Sequence, residues 1–326
     1  MLEPTLPVRR VAFVLVEGFA LMSFAAVSEP LRAANLLAGR RIYEIFHFAA
    51  GPKTAELVKS SSAASVAVAG LGEATGAYDL AFVVAGGDPV GFQDDRMFQW
   101  LRHQARHGRM LGGVSGGPAV LANAGIMENR RMTLHWEHAA ALAERHPGLL
   151  LERTLYVVDR DRITCAGGTA PLDMMHALIA EHHGADFARR VSDWFMHTDV
   201  RPAGGPQRAG LAERYGTNRH AVLAAIEAME NHIADPLPLS DLGQIAGVSA
   251  RHLNRQFRAG LGRSAGAFYR DLRLEKSREL LRQTDLPILE IAIATGFSGA
   301  AHFATAYRKR FGETPSHHRI EVLHRR

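Results

Sequence analysis

The sequence predicts two joined architectures: an α/β unit built on a mostly parallel sheet covered on both faces, followed by an all-α unit. Three observations carry this. Over the first two-thirds of the chain, apolar runs of strand length alternate with helical spacing, and glycines sit at the strand ends. Around Arg201-Pro202-Ala203-Gly204-Gly205-Pro206 the pattern dissolves into the Pro/Gly composition of a boundary. Beyond Asn218 no strand signal remains, and two segments about fifty residues apart resemble each other. The expected division is an α/β domain over 1–200, a linker over 201–220 and a helical domain over 221–322.

The elements follow in order. Val11–Val16 reads as a buried strand, and an apolar helical stretch continues through Pro30-Leu31-Arg32-Ala33-Ala34-Asn35. Ile42–Ala49 alternates as a second strand. Leu80–Ala85 is a continuous apolar strand running straight into Gly86-Gly87-Asp88, and Met97–His107 has helical spacing. Met110–Val114 leads through Ser115-Gly116-Gly117-Pro118 into Ala119–Ala124, a strand, a sharp turn and a helix. Leu155–Val158 and Ile163–Ala166 suggest a late hairpin, and Ala170–His183 a last helix. In the second domain Ala221–Ile233, Leu239–Ala246, Ala250–Ala259, Ala267–Gln283, Ile288–Ala294 and Ala300–Phe311 all read as helices.

Composition narrows the function. With 326 residues, 47% of them hydrophobic, the chain is long enough for two domains with separate cores. The single cysteine, Cys165, cannot form an internal disulfide, which points to a reducing compartment. The apolar run before Glu17 is too short for a signal core, and nothing approaches the ~18 apolar residues of a membrane span. A cytoplasmic protein with no membrane partner is expected. Residues 1–217 are charge-balanced, whereas 218–326 hold 16 Lys/Arg against 11 Asp/Glu, so the whole excess of +5 lies in the helical domain. A basic module fused to a neutral one suggests a polyanion partner.

The repeat sharpens that reading. Ile245-Ala246-Gly247-Val248-Ser249 followed by Leu253, Phe257 and Leu261-Gly262 matches Ile293-Ala294-Thr295-Gly296-Phe297-Ser298 followed by Phe303, Tyr307 and Phe311-Gly312. Each copy has a short apolar helix, a glycine turn and a second helix with bulky residues four apart. That is the pattern of a helix-turn-helix, whose second helix enters the major groove. The intervening Ala267–Gln283 helix would be roughly 25 Å long, enough to hold two reading heads over successive grooves about 34 Å apart.

Arg273-Leu274-Glu275-Lys276-Ser277-Arg278-Glu279-Leu280-Leu281 resembles the linker helix of the AraC/XylS family. Ile291 through Ser298, His302-Phe303, Tyr307-Arg308 and Arg310-Phe311-Gly312 through Pro315 resemble its second-unit signature. The resemblance covers roughly residues 222–320 and implies double-stranded promoter DNA as the partner. Gly299 departs from it by replacing the serine that caps the second recognition helix, and Ala265 stands where a proline is common. With Leu253 and Phe257 facing the core, Arg251, Asn254, Arg255 and Arg258 are left outward for guanine, adenine and phosphate contacts. The second recognition helix offers His302, Thr305, Arg308 and Lys309, a set suited more to phosphate affinity than to sequence choice; His302 serves equally well as a packing residue.

In the first domain, Gly113-Val114-Ser115-Gly116-Gly117-Pro118 looks like a nucleophile elbow, and Thr133-Leu134-His135-Trp136 offers a histidine. A hydrolase or amidase using Ser115 is therefore one reading; a tight turn or ligand-binding nest is the other. These motifs, with Glu29-Pro30-Leu31-Arg32-Ala33-Ala34-Asn35, Gly86-Gly87-Asp88 and Thr164-Cys165-Ala166-Gly167-Gly168-Thr169-Ala170-Pro171-Leu172-Asp173, resemble the PfpI-like branch of the class I glutamine amidotransferase superfamily. More narrowly they resemble GlxA-type regulators, in which such a domain precedes an AraC unit. The resemblance implies a flavodoxin-like, class I glutamine amidotransferase-like sandwich over about residues 8–195.

Two departures argue against catalysis. The enzymatic members carry cysteine where Ser115 stands, and their helper glutamate falls on Ser23. No carboxylate is placed by sequence to orient His135, and a serine without an oriented base is not a nucleophile. A small-molecule sensor is expected instead. Ser28 through Asn35 and Gly39-Arg40 resemble regulators of arginine, carnitine and glycine-betaine use, which implies an amine or amino-acid-like effector.

For a cationic effector, Glu29, Gly87, Asp88, Ser115, Gly116, His135 and Trp136 are the candidate contacts. The backbone N–H groups of Ser115 and Gly116 would hold a carboxylate, and Trp136 would face the cation. Alternatives stay open: Glu29 pairing locally, Asp88 as a turn residue and Trp136 in the core. The seventeen histidines are scattered, His103 and His107 lack a carboxylate at zincin spacing, and no phosphate-loop pattern occurs, so no metal or other cofactor is expected. The composite expectation is a homodimeric, effector-responsive activator joined through its α/β domain, with RNA polymerase as a further candidate partner.

Overall fold

The structure, a computed structural model, describes residues 7–51, 57–284 and 286–325. The chain divides into two compact units after Gln207. In the first, seven strands form one sheet in the order Tyr156–Asp159, Arg162–Cys165, Met110–Ser115, Leu80–Ala85, Arg9–Leu15, Tyr43–Ala49, Ala69–Gly70. All pairings are parallel except the edge hairpin, where Tyr156 pairs with Cys165 antiparallel.

Strand alternation explains why the sheet is covered twice. Val11, Phe13 and Leu15, with Leu80, Phe82 and Val84, face one core, shared with the helices Leu21–Ala38 and Ala170–His183. Ala12 and Val14, with Ala81, Val83 and Ala85, face the other, under the helices Asp95–Arg106 and Gly117–Asn123. Both sides of each strand are buried, and this is why they read as unbroken apolar runs. The chain pairs outward from Arg9–Leu15 on one side and then returns to Leu80–Ala85 on the other. The carboxyl ends of these two strands are therefore the switch point where α/β sheets gather their sites.

Elements that sequence spacing did not signal are the short pairs Leu57–Lys59 with Ser65–Ala67 and Arg131–Met132 with Leu150–Leu151, and the helices Trp136–Arg145 and Ala185–Trp194. Cys165 lies in a strand, fully buried, and burial pushes its thiol up to about 12. The segment expected to be a linker is divided. Leu155 N–H donates to Ala203 O, Pro206 bridges to Thr154, and Gln207 Nε2 reaches Thr133 Oγ1, Leu134 O and Thr154 O, all within the α/β unit. The helix Leu211–Tyr215 instead lays Leu211 and Tyr215 on a core of the helical unit.

The helical unit has two cores strung on one helix, Ala265–Gln283. Phe268 and Tyr269 near its start join Val222, Ile226, Leu242, Leu253 and Phe257. Leu274, Leu280 and Leu281 farther along join Ile291, Phe297, Phe303 and Tyr307. At 1.5 Å per residue this helix runs about 28 Å. A closing helix, Pro315–Arg325, packs on the second core, with Tyr307 Oη 2.6 Å from His318 Nδ1. Among the described residues no helix is long and apolar enough to cross a membrane.

Candidate functional site

Each helix-turn-helix is a short helix, a turn and a recognition helix: Leu239–Ile245 with Ala250–Leu261, then Ile288–Ala294 with Ala300–Phe311. Both turns pass through a glycine with positive φ, Gly247 at 68° and Gly296 at 73°, a backbone region other residues rarely adopt. At Gly296 space is a second constraint, since a Cβ would lie 2.5 Å from Pro236 Cγ and 2.7 Å from Ile233 O. Leu253, Phe257, Phe303 and Tyr307 are fully buried, fixing which face of each recognition helix points outward.

On the first recognition helix Arg251, Arg255 and Arg258 are exposed. Arg255 Nη2 lies 3.0 Å from His252 Nδ1. Asn254 departs from the expectation that it faces outward with the arginines. It is half-buried, and its Oδ1 accepts the Ala265 N–H at 3.0 Å, tying the helix to the start of the next one. The helix is capped by Ser249, whose Oγ accepts the His252 N–H at 3.2 Å. On the second recognition helix His302, Thr305, Arg308 and Lys309 are all exposed. Thr305 Oγ1 donates back to Ala301 O, and His302 Nδ1 lies 3.3 Å from Ser298 Oγ with its ring edge on Phe297. Gly299 provides no side-chain cap.

Sequence reasoning overlooked Arg273. Its Nε and Nη2 donate to Thr295 O and Gly296 O, both at 2.8 Å, and its guanidinium lies 4.4 Å from the Phe297 ring centroid. A side chain of the long helix therefore holds the second turn shut. Its position within the quoted linker-helix motif was the available signal.

In the α/β unit the elbow is built as the motif suggests. Ser115 ends its strand with φ at 60°, a left-handed conformation that costs a non-glycine residue on the order of 1–3 kcal/mol. The turn leaves no room for side chains: a Cβ on Gly117 would sit 2.0 Å from Val83 O, and one on Gly116 would sit 2.6 Å from Pro89 Cγ. The Gly86–Pro89 loop is thereby pressed onto the elbow. Gly167 closes another side, where a Cβ would lie 2.8 Å from Ser115 Cβ and 2.9 Å from Ser23 Oγ. Ser23 is thus beside Ser115, and its Oγ accepts the Gly168 N–H at 2.8 Å. The His135 N–H donates to Ser115 O at 3.2 Å, bringing the Thr133–Trp136 segment to the same place.

The structure therefore gathers Gly87, Asp88, Ser115, Gly116, His135 and Trp136 around the elbow. Several expected details change. Glu29 pairs with Arg32 at 2.7 Å one turn along its own helix, the local pairing left open by the sequence. The Gly116 N–H donates to Ala85 O at 3.0 Å and is already engaged, so the expected carboxylate cradle at Ser115 and Gly116 loses one donor. Asp88 Oδ1 accepts the Gly91 N–H, making it the turn residue of its loop. Trp136 is 37% exposed rather than a core residue. Ser115 itself is 6% exposed.

The sequence places no carboxylate to orient His135; in the structure Glu137 Oε2 lies 3.8 Å from His135 Nδ1. Nδ1 also accepts the Glu137 N–H at 3.4 Å, so in that tautomer it has no proton to give a carboxylate. Burial holds the His135 pKa below the usual histidine range, opposed by the Glu137 charge. His138, 6% exposed, is pushed down to about 4, chiefly by burial.

Asp173 carries a role the sequence did not signal. Fully buried in the first turn after the Gly167-Gly168-Thr169 loop, it accepts from His197 Nε2, the Arg201 N–H and the Arg201 guanidinium at 2.6–3.0 Å. It fastens the segment from His197 to Arg201 to the first turn of the helix Ala170–His183.

A family model described as DJ-1/PfpI family matches residues 9–181, and one described as Helix-turn-helix domain matches 242–320. The HTH-type transcriptional regulator GlxA of Rhizobium meliloti (strain 1021) is 49% identical over 309 residues, 94% of each chain. The HTH-type transcriptional regulator CdhR of Pseudomonas aeruginosa is 40% identical over 308 residues, 94% of this chain and 90% of that one. Among solved structures, an AraC family transcriptional regulator from Pseudomonas putida aligns with a TM-score of 0.52 at 26% identity, covering 57% of this chain and 99% of that one.

Proposed function

We propose that this chain, which belongs to the GlxA-type family of HTH-type transcriptional regulators, reads promoter DNA with its two recognition helices under the control of a small molecule bound beside Ser115. One observation carries the DNA half. Arg251, Arg255 and Arg258 project from a helix whose opposite face is core, and Arg251 and Arg258 have no intrachain partner among the described residues. Three exposed arginines on a capped helix, two of them with side chains unpaired among the described residues, make the electrostatic footprint of phosphate and guanine contact. Retardation of the full chain on a panel of genomic promoter fragments against random duplex at moderate salt tests this. Equal retention of both sinks it.

We read the α/β unit as a sensor rather than an enzyme. Supporting this, His135 Nδ1 accepts the Glu137 N–H, and in that tautomer no carboxylate orients the ring as a base for Ser115. The exposed Trp136 ring and the carboxylates of Asp88 and Glu137 suit a cationic amine or amino-acid-like effector of the arginine, carnitine or betaine class. A thermal-shift screen of those metabolites on the full chain should raise Tm with at least one. Ser115→Ala separates the two functions: a sensor keeps regulated transcription, whereas a hydrolase loses turnover. The same reading has the regulator act as a homodimeric activator joined through the α/β unit, with RNA polymerase as a further partner. Sedimentation of the full chain checks the dimer.

A further inference from the structure

Beside the elbow the first turn of the Trp136–Arg145 helix gathers more donor atoms than the effector reading uses. One donor atom from each of His135, Glu137 and His138 lies within 4.8 Å of the other two. Ligands around a tetrahedral zinc-type ion stand roughly 3.3–3.6 Å apart, given metal–ligand bonds of about 2.0–2.2 Å. His135 Nδ1 and Glu137 Oε2, at 3.8 Å, are nearly there already. The remaining approach is a matter of side-chain torsions, because the cap residue and the third helical residue are neighbours across one turn.

We propose that His135, Glu137 and His138 form a binding site for a divalent transition-metal ion of the zinc type, leaving a fourth position for water or a ligand atom. His138 is 6% exposed, and no hydrogen bond holds its ring nitrogens among the described residues, which leaves them available to an ion. The one bond His135 Nδ1 accepts is long, 3.4 Å, and weak enough for an ion to displace. A helix N-terminus alone repels a cation. Glu137 within the set offsets this, together with Asp88, whose charge acts on His138. Two imidazoles and one carboxylate favour Zn2+, Ni2+ or Co2+ over Mg2+ or Ca2+. The other grouping of this kind among the described residues, Glu313 with His317 and Glu321, has two exposed members and a single imidazole, and serves as a comparator.

The probe is Co2+ added to untagged full-length protein without any metabolite, followed by displacement with Zn2+. One equivalent should bind with the intense visible absorption of four- or five-coordinate cobalt, and Zn2+ should abolish it. His138→Asn and Glu137→Gln should each weaken binding by at least about tenfold, while His317→Asn leaves it unchanged. Circular dichroism checks that the variants fold. If His138→Asn does not, Glu137→Gln decides, since its side chain is 39% exposed. Binding that survives both substitutions, or that falls only with His317→Asn, overturns the site. Because no effector is present, failure here leaves the sensor reading standing, and a barren metabolite screen leaves the metal site standing.

Discussion

The two helix-turn-helix units share a backbone and differ in almost everything that backbone carries. The first has a serine cap, three exposed arginines and an asparagine engaged with the next helix. The second has no side-chain cap, a threonine folded back on its own helix and two cations, Arg308 and Lys309, at its far end whose side chains are unpaired among the described residues. Their turns also differ, since among the described residues only the second is gripped by an arginine from the long helix. A duplicated fold thus presents two different outward faces, three arginines on the first recognition helix and Arg308 with Lys309 at the far end of the second.

The largest expected effect breaks the second unit alone. Arg273→Ala removes two charge-assisted hydrogen bonds and leaves two turn carbonyls bare, a loss of roughly 2–4 kcal/mol. Hydrogen exchange should quicken across 288–311 and stay unchanged across 239–261. Equal quickening in both would mean that the clamp supports the whole unit. Next, Arg255→Ala or Arg251→Ala should weaken a specific promoter site by about 1–3 kcal/mol, with little change on random duplex. Arg308→Ala or Lys309→Ala should lower affinity for all sequences alike and reduce the slope of log K against log salt by about 1 each. If these two also altered sequence preference, the contrast between the units would collapse. Ser249→Ala should destabilise the first recognition helix by about 1 kcal/mol. Gly299→Ser, which supplies the missing cap, should stabilise the second by a few tenths of a kcal/mol. Chemical denaturation of both variants reads this smallest difference.

Much of the fold was legible because burial on both sheet faces leaves a plain mark. Runs such as Leu80–Ala85 are apolar at every position, and a glycine-broken helix pair recurs. The two-residue strands at Arg131–Met132 and Leu150–Leu151 were not, since so short a segment has no period to detect. The Trp136–Arg145 helix was hidden by its motif: Thr133-Leu134-His135-Trp136 drew attention to single side chains rather than to the spacing that follows. In the site, pattern identified the elbow and the arginine face. It did not foresee that the Gly116 N–H is engaged by Ala85, that Asn254 turns inward or that Glu137 approaches His135. Those are matters of hydrogen-bond partners, which depend on where distant loops come to rest. Asp173 illustrates the same limit, because its partners His197 and Arg201 lie 24 and 28 residues away in sequence.

The lone sulfhydryl has a practical consequence. Cys165 is sealed inside a strand and burial disfavours its thiolate, so maleimides find no accessible thiolate on the folded native chain. Any cysteine introduced at an exposed position then becomes the sole attachment point for a fluorophore or spin label. Thr305→Cys, at an exposed position, would report on docking of the second recognition helix.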